Sequence, residues 1–192
     1  MFCNMRKAAQ NRLKDRDPNE IACNAGVHFD GKQFRFFCLG KEVAVSYPEY
    51  SICPEFSGWK ELTVLHYLDL ADQVSLSGMQ ISFSQYKDGM VRGQGFDRKV
   101  ETLIAQTLGN LSMEELIRRC LACGGHVEPS NADLCVKFQY LPRYPVWLKI
   151  WFSDEEFPAS GRMLLDKNSE HYLSIEDAVT VGTLLLDALL NM

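Results

Sequence analysis

A group of acids in the stretch WFSDEEFPASGRMLLD (residues 151–166) has the residue types that catalysis or metal binding requires. Asp154, Glu155 and Glu156 are consecutive, and Asp166 closes the stretch. Oxygen ligands from two chain segments suit a hard divalent cation, and a close carboxylate pair can act as general acid and base. If the three acids leave a strand end and meet Asp166 from the next strand, they form a metal site. They would then serve a metal-assisted hydrolase or an acid/base enzyme.

The same acids also have a purely local interpretation. Ser153 followed by Glu156 matches a capping box, so SDEE can form one helical turn after a strand. Pro158 would end that turn, because the residue before a proline is disfavoured in helical conformation. On this interpretation the acids only hold turns together, in a structural or interaction module.

The stretch CLACGGH suggests a second, different metal site. Cys120, Cys123, His126 and Cys135 have the spacing C-x2-C-x2-H-x8-C, which supplies four zinc ligands but is not a standard finger. The pair Cys120 and Cys123 lies at a predicted helix C-terminus, where the dipole does not lower a thiol pKa, so redox chemistry is disfavoured. Core packing of both thiols is the alternative.

Two strands carry a surface that suits a ligand. Side chains alternate along a strand, so Trp147, Lys149 and Trp151 share one face of residues 146–152, and Cys135, Lys137 and Gln139 share one face of residues 134–140. The opposite faces are apolar and must be covered by helices. Flat rings beside cations suit a planar or anionic ligand, although a second layer of loops or helices could instead cover the tryptophans.

His66, in the stretch LHYL, is the histidine with the most suggestive surroundings. It borders an apolar helical face formed by leucines. It is either a half-buried structural histidine or an axial ligand or acid/base group. With the tryptophan-bearing face and the glycine-rich segment 75–95, it would complete a pocket.

The elements that must position these residues indicate an α+β fold. Asp17 and Pro18 begin a helix that Gly26 ends, Ser57 or Gly58 opens another, and Ser112 and Ser174 cap two more. Tight-turn signals separate three β-rich runs, which predicts a three-strand meander across residues 27–47. Strands and helices come in blocks, which favours a mainly antiparallel sheet with helices on one face and a C-terminal helix. The predicted helices cover 5–16, 18–25, 59–72, 96–108, 112–123 and 175–190, and the predicted strands lie within 27–47, 80–83, 134–140 and 146–152.

Composition narrows the class of protein. The 192 residues, 46% of them hydrophobic, predict a single globular domain (1–192), with residues 1–16 as a possible helical appendage. The net charge of -5 disfavours a nucleic-acid binder, and no run approaches the roughly 20 apolar residues that span a bilayer. Seven scattered cysteines predict free thiols in the cytoplasm. No phosphate-binding loop, dinucleotide fingerprint or nucleophile elbow is present.

Three stretches resemble an uncharacterised family of anaerobic bacteria and archaea, a domain of unknown function. They are WKELTVLHYLDLA (59–71), SGMQISFSQYKDGMVRGQGF (77–96) and LPRYPVWLKIWFSDEEFPASGRMLLD (141–166), and the resemblance covers roughly residues 18–190. The cysteine pair is not part of this pattern. The positions that match it are His66, Tyr67, Gly78, Phe83, Phe96, Pro142, Trp151, Asp154, Glu155, Glu156, Phe157 and Asp166.

The resemblance implies no established activity. Some relatives carry an iron–sulfur domain similar to those beside corrinoid proteins, and this chain lacks that extension. The resulting expectation is a cofactor- or small-ligand-binding protein, with a corrinoid or another tetrapyrrole as possible ligand and an iron–sulfur or corrinoid protein as possible partner. A divalent metal and an enzymatic role stay open as alternatives. The predicted ligand-binding residues are Trp151, Trp147, Lys149, His66, Tyr67 and Phe83.

Overall fold

The chain folds as six α-helices, three short 3₁₀ helices and nine strands within residues 2–56 and 58–192, the part that this computed structural model describes. The α+β class and the C-terminal helix are confirmed. The predicted helix opening at Ser57 lies outside the described residues, and Gly58 precedes that helix. The helices are α1 (Phe2–Lys14), α2 (Pro18–Ala25), α3 (Trp59–Leu70), α4 (Arg92–Gln106), α5 (Met113–Ala122) and α6 (Ile175–Leu190). The strands are β1 (His28–Phe29), β2 (Gln33–Cys38), β3 (Lys41–Ser46), β4 (Ile52–Cys53), β5 (Gln80–Ile81), β6 (Gly125–Val127), β7 (Leu134–Leu141), β8 (Tyr144–Trp151) and β9 (Ser160–Asp166).

The N-terminal part of the fold follows local capping and turn chemistry. The Asp17 carboxylate accepts a hydrogen bond from the backbone N–H of Asn19, and Gly26 ends α2 in the left-handed conformation at φ 65°. The following strands form an antiparallel sheet in the order β1-β2-β3-β4. The predicted meander is therefore confirmed, and β4 extends it by one short strand.

The second sheet is the one that positions the candidate site. Its five antiparallel strands have the order β5-β9-β8-β7-β6. Val136 of β7 lies opposite Leu148 of β8, and Leu148 lies opposite Met163 of β9. All three side chains are buried, so one face of the sheet is apolar, as the alternation predicts.

Helices cover this apolar face. The Tyr140 and Thr63 hydroxyls, on β7 and α3, lie 2.8 Å apart, and α3 and α4 both pack against α6. Val100 and Ile104 of α4 are buried beside β9. The core thus lies between the apolar sheet face and the layer of α3, α4 and α6. No helix in the described ranges is long and apolar enough to cross a membrane.

The glycine-rich segment is more regular than its composition suggests. It contains β5, a short 3₁₀ helix (Phe83–Gln85) and the start of α4 at Arg92, four residues earlier than predicted. Close backbone approach explains Gly89 and Gly93, because a Cβ on these residues would lie 2.2 and 2.0 Å from the carbonyl oxygen of Phe83. A Cβ on Gly95, two residues later, would meet nothing within 4 Å.

This difference predicts opposite effects of alanine at two glycines of the same helix. Gly93→Ala should lower the free energy of unfolding by about 1–3 kcal/mol, because the new methyl group displaces backbone. Gly95→Ala should leave stability unchanged or raise it by up to about 1 kcal/mol, because alanine has the higher helix propensity. Urea unfolding of both variants measures the two values, and equal effects would contradict the close packing of α4 on Phe83.

Candidate functional site

The predicted tryptophan-bearing surface is assembled on the other face of the five-stranded sheet. Lys149 of β8 lies between Cys135 of β7 and Arg162 of β9, in the adjacent strands. In the next row Trp147 lies between Lys137 and Leu164. The strand register therefore brings together the side chains that the alternation assigns to this surface, which we call the tryptophan face.

The loop after β6 covers part of the tryptophan face. Glu128 accepts a hydrogen bond from Trp147 Nε1 at 3.0 Å, and its carboxylate lies 3.6 Å from Lys137 Nζ and 3.8 Å from His126 Nε2. The Lys137 ammonium lies 5.4 Å from the Trp147 ring centroid. Only 6% of Trp147 is exposed as a result. Near β6, then, Trp147 and Lys137 already have protein partners.

At the other end of the tryptophan face the two cations lack such partners among the described residues. Lys149 and Arg162 lie directly opposite each other on adjacent strands, and within residues 2–56 and 58–192 neither side chain forms an ion pair or a hydrogen bond. Lys149 is half-buried and Arg162 is exposed. They border a depression of about 460 Å³, whose wall is otherwise uncharged. The lining residues are Gln80, Ser82, Ser84, Gln85, Asn131, Lys149, Trp151, Arg162 and Leu164.

Trp151 forms a fixed wall of the same depression. Its Nε1 donates a hydrogen bond to the carbonyl oxygen of Asn131 at 3.2 Å, which orients the half-buried ring. The ring also borders a second depression, of about 600 Å³, which Asn131 and Arg162 share with Glu101 of α4. Trp151, Asn131 and Arg162 thus lie between two adjoining depressions.

His66 does not belong to this site, contrary to the prediction. It lies on α3, which covers the apolar face of the sheet, whereas the tryptophans point to the opposite face. His66 Nδ1 lies 2.8 Å from the Asp177 carboxylate, and the Ser174 hydroxyl donates to the other oxygen of that carboxylate. His66 is therefore engaged in a half-buried contact between α3 and α6.

Tyr67 and Phe83 also lie in the core rather than at the tryptophan face. Both side chains are fully buried. The Tyr67 hydroxyl donates to the carbonyl oxygen of Ala25 and accepts from the backbone N–H of Arg143, so it links α2 to the β7–β8 turn. Phe83 packs against Phe96, with ring centroids 4.5 Å apart. Of the six predicted ligand-binding residues, the structure brings together Trp147, Lys149 and Trp151.

The acids of residues 154–166 do not converge. Asp154 follows Trp151, the last residue of β8, which pairs with Ser160 at the start of β9. Asp166 lies at the other end of β9, six residues after Ser160. At about 3.3 Å per residue this separates their positions by about 20 Å. Among the described residues, no group of three or more His, Cys, Asp or Glu side chains could hold a metal ion. The predicted site of Asp154, Glu155, Glu156 and Asp166 is not assembled.

Asp154 is the acid that organises the turn after β8. Its carboxylate accepts hydrogen bonds from the backbone N–H groups of Phe157 and Glu156, which hold its pKa below the usual value. The turn is not helical, so the predicted capping box of Ser153 and Glu156 is wrong. Asp154 takes the place of the predicted serine cap, because its carboxylate accepts hydrogen bonds from the backbone N–H groups two and three residues later. Glu155 and Glu156 are exposed.

Asp166 is buried and holds the chain ahead of β5. Its carboxylate accepts from the backbone N–H groups of Ser77, Gly78 and Asn168 and from the Ser77 hydroxyl, at 2.7–2.9 Å. Only 1% of the residue is exposed. Three backbone N–H groups and one hydroxyl therefore satisfy the hydrogen-bonding capacity of this buried carboxylate, so its burial does not require a metal ligand role.

The four zinc candidates are divided between the two faces of the sheet. Cys120 and Cys123 are buried with the hydrophobic core, and burial raises the pKa of the Cys120 thiol to about 12. Cys135 lies on the tryptophan face of β7, and His126 points outward from β6 with its side chain 56% exposed. The zinc site is not assembled either, because the sheet separates the cysteine pair from the other two residues.

Several site residues escaped prediction. Arg162 follows from alternation in SGRMLLD, where Gly161, Met163 and Leu165 face the core and Arg162 faces outward. Ser82, Ser84, Asn131 and Glu101 come from a 3₁₀ helix, a loop and a helix flank. No short-range sequence pattern predicts that these four residues lie near the tryptophan face, because only the tertiary fold brings them there.

The fold and the site define an α+β protein with an open, cationic, tryptophan-bearing depression on the uncovered face of an antiparallel sheet. The model of a family described as "Domain of unknown function (DUF3786)" matches residues 17–188, and the chain belongs to this family. No curated protein and no solved structure matches the chain significantly. The resemblance to an uncharacterised family is thereby confirmed, and it brings no known activity.

The two environments of Asp154 and Asp166 predict different effects of the same substitution. Asp166→Asn should lower the free energy of unfolding by about 1–3 kcal/mol, because an amide NH₂ would face buried backbone donors. Asp154→Asn should change stability much less, because that side chain is exposed to solvent. Chemical unfolding of both variants gives the comparison. A larger loss for Asp154→Asn would contradict the assigned roles.

Proposed function

We propose that the protein binds a small anionic ligand in the depression between Lys149, Arg162 and Trp151. The observation that carries the proposal is the placement of two cations directly opposite each other on adjacent antiparallel strands. Side chains in such a pair have Cβ atoms about 5 Å apart, and like charges there destabilise the sheet. In the described part of the chain no acid neutralises the pair. A carboxylate or phosphate group bound between the two side chains would remove this repulsion.

The surroundings supply the other parts of a ligand site. Ser82, Ser84, Gln80 and Asn131 offer hydroxyl and amide groups around the cations. The Trp151 ring offers an apolar wall, fixed by its bond to Asn131. A few convergent polar groups beside an aromatic surface are typical of small-molecule sites. The ligand would place its anionic group between Lys149 and Arg162 and its body against Trp151.

The tetrapyrrole and corrinoid identity suggested by the family resemblance stays a prediction. His66 could not supply an axial ligand to such a group on the tryptophan face, because it binds Asp177 on the opposite side of the sheet. A haem would instead meet the cations through its carboxylates and Trp151 through its ring. Visible absorption during titration with haem or hydroxocobalamin tests this identity. Unchanged spectra and no comigration on gel filtration would exclude both molecules. An iron–sulfur or corrinoid protein as partner likewise stays a prediction.

Removal of either cation should weaken anion binding. Lys149→Gln and Arg162→Gln should each raise the dissociation constant for inorganic phosphate or adenosine monophosphate at least about tenfold, because a hydrogen bond to a charged group contributes roughly 1.5–3 kcal/mol. The chemical shift of the Trp151 indole N–H reports binding, and Trp151→Phe assigns its signal.

Lys99→Gln is the matched control, because it removes one positive charge from the exposed surface of α4 outside the depression. This variant should bind as the unchanged protein does. Increasing salt should weaken binding to the unchanged protein, since exposed charges are screened. The proposal would be wrong if neither anion shifted the Trp151 signal, or if all three variants bound equally well.

A further inference from the structure

The depression beside the two cations adjoins a second one that contains a carboxylate as well as a cation. The first depression is lined by Lys149 and Arg162 with no acid. The second is lined by Glu101 and Arg162, with Trp151 and Asn131 between the two. Glu101 also lines a third depression, of about 300 Å³, which Arg162 borders as well. A molecule that lies across Trp151 therefore meets cations at one end and a carboxylate at the other.

Glu101 is available to a ligand. It is exposed on α4, and across residues 2–56 and 58–192 its carboxylate forms no ion pair and no hydrogen bond. Arg98, three residues earlier on the helix, and Arg162 both line a depression with it, yet neither forms an ion pair with it in the described structure.

Asp97, the neighbouring acid on α4, differs from Glu101 because its carboxylate already has hydrogen-bond donors within the protein. The two oxygens of the Asp97 carboxylate accept the backbone N–H groups of Phe83 and Ser84, at 3.1 and 2.9 Å. Asp97 therefore holds the 3₁₀ helix against α4. Of the two acids that line these three depressions, Glu101 is the one whose carboxylate has no ion pair or hydrogen bond among the described residues.

We infer that the ligand of this site is dipolar, with a cationic ammonium group near Glu101 and Trp151 and an anionic group between Lys149 and Arg162. The inference rests on the proposed anion site and extends it to a substrate class. An ammonium group beside an aromatic ring and a carboxylate gains both a cation–π contact and charge attraction. The arrangement favours a small zwitterion over a dianionic tetrapyrrole such as haem.

Comparison of phosphocholine with inorganic phosphate tests the ammonium site separately from the anion site. Both carry a phosphate group, and phosphocholine adds a quaternary ammonium. The unchanged protein should bind phosphocholine at least about fivefold more tightly than phosphate, because the ring and the carboxylate add to the phosphate contacts. Glu101→Gln should lower this ratio, because only the ring contact would then favour the ammonium group, and it should not weaken phosphate binding. The shift of the Trp151 indole N–H measures each affinity.

Two further variants make the result specific. Glu55→Gln removes an exposed carboxylate from the loop between β4 and α3, outside these depressions, and should preserve the ratio. Arg162→Gln should weaken both ligands. Far-UV circular dichroism checks that each variant is folded, which we expect for exposed positions.

The possible failures are distinguishable. Equal affinity of the unchanged protein for both ligands would overturn the dipolar inference, as would a ratio that survives Glu101→Gln. If phosphate binding still depended on Lys149 and Arg162, the anion site itself would stand. Absence of binding by either ligand would overturn both proposals.

Discussion

The antiparallel register of β7, β8 and β9 is the constraint on which the rest of the structure depends. A shift by one residue would exchange the two faces of a strand. With Val136 opposite Leu148 and Leu148 opposite Met163, every core-facing position of the three strands is apolar. The same register necessarily aligns Lys149 with Arg162 on the other face. The candidate site is thus a consequence of the pairing that builds the core.

The coverage of the two faces then decides where a ligand can reach the sheet. The apolar face is covered by α3, α4 and α6, and α3 carries His66 and the buried Tyr67. The tryptophan face is covered only in part, because the loop after β6 places Glu128 on Trp147 and Asn131 on Trp151. Near β9, among the described residues, Lys149 and Arg162 border one depression, and Glu101 of α4 lines the adjoining one. The uncovered region therefore combines a fixed ring with unneutralised charge.

Most of the fold was predictable, because its signals are local. The caps Asp17, Ser112 and Ser174, together with Gly26, mark helix ends that the structure confirms, and alternation assigned Trp147, Lys149 and Trp151 to one face. The errors concern residues whose surroundings come from distant segments. His66 has an apolar local pattern, but its partner Asp177 lies 111 residues away. Asp166 looked like a metal ligand because its donors, Ser77 and Gly78, are 89 and 88 residues earlier.

The contrast between these acids and the cations of β8 and β9 carries the functional argument. A polar group that stabilises the fold has its partners within the protein, as Asp166, Asp177 and Asp97 do. Lys149 and Arg162 break a local rule of sheet pairing, and among the described residues no acid forms an ion pair with either of them. Such violations are expected at functional sites rather than in the supporting structure. The proposed anion between Lys149 and Arg162 would supply the negative charge that these two facing strand positions lack.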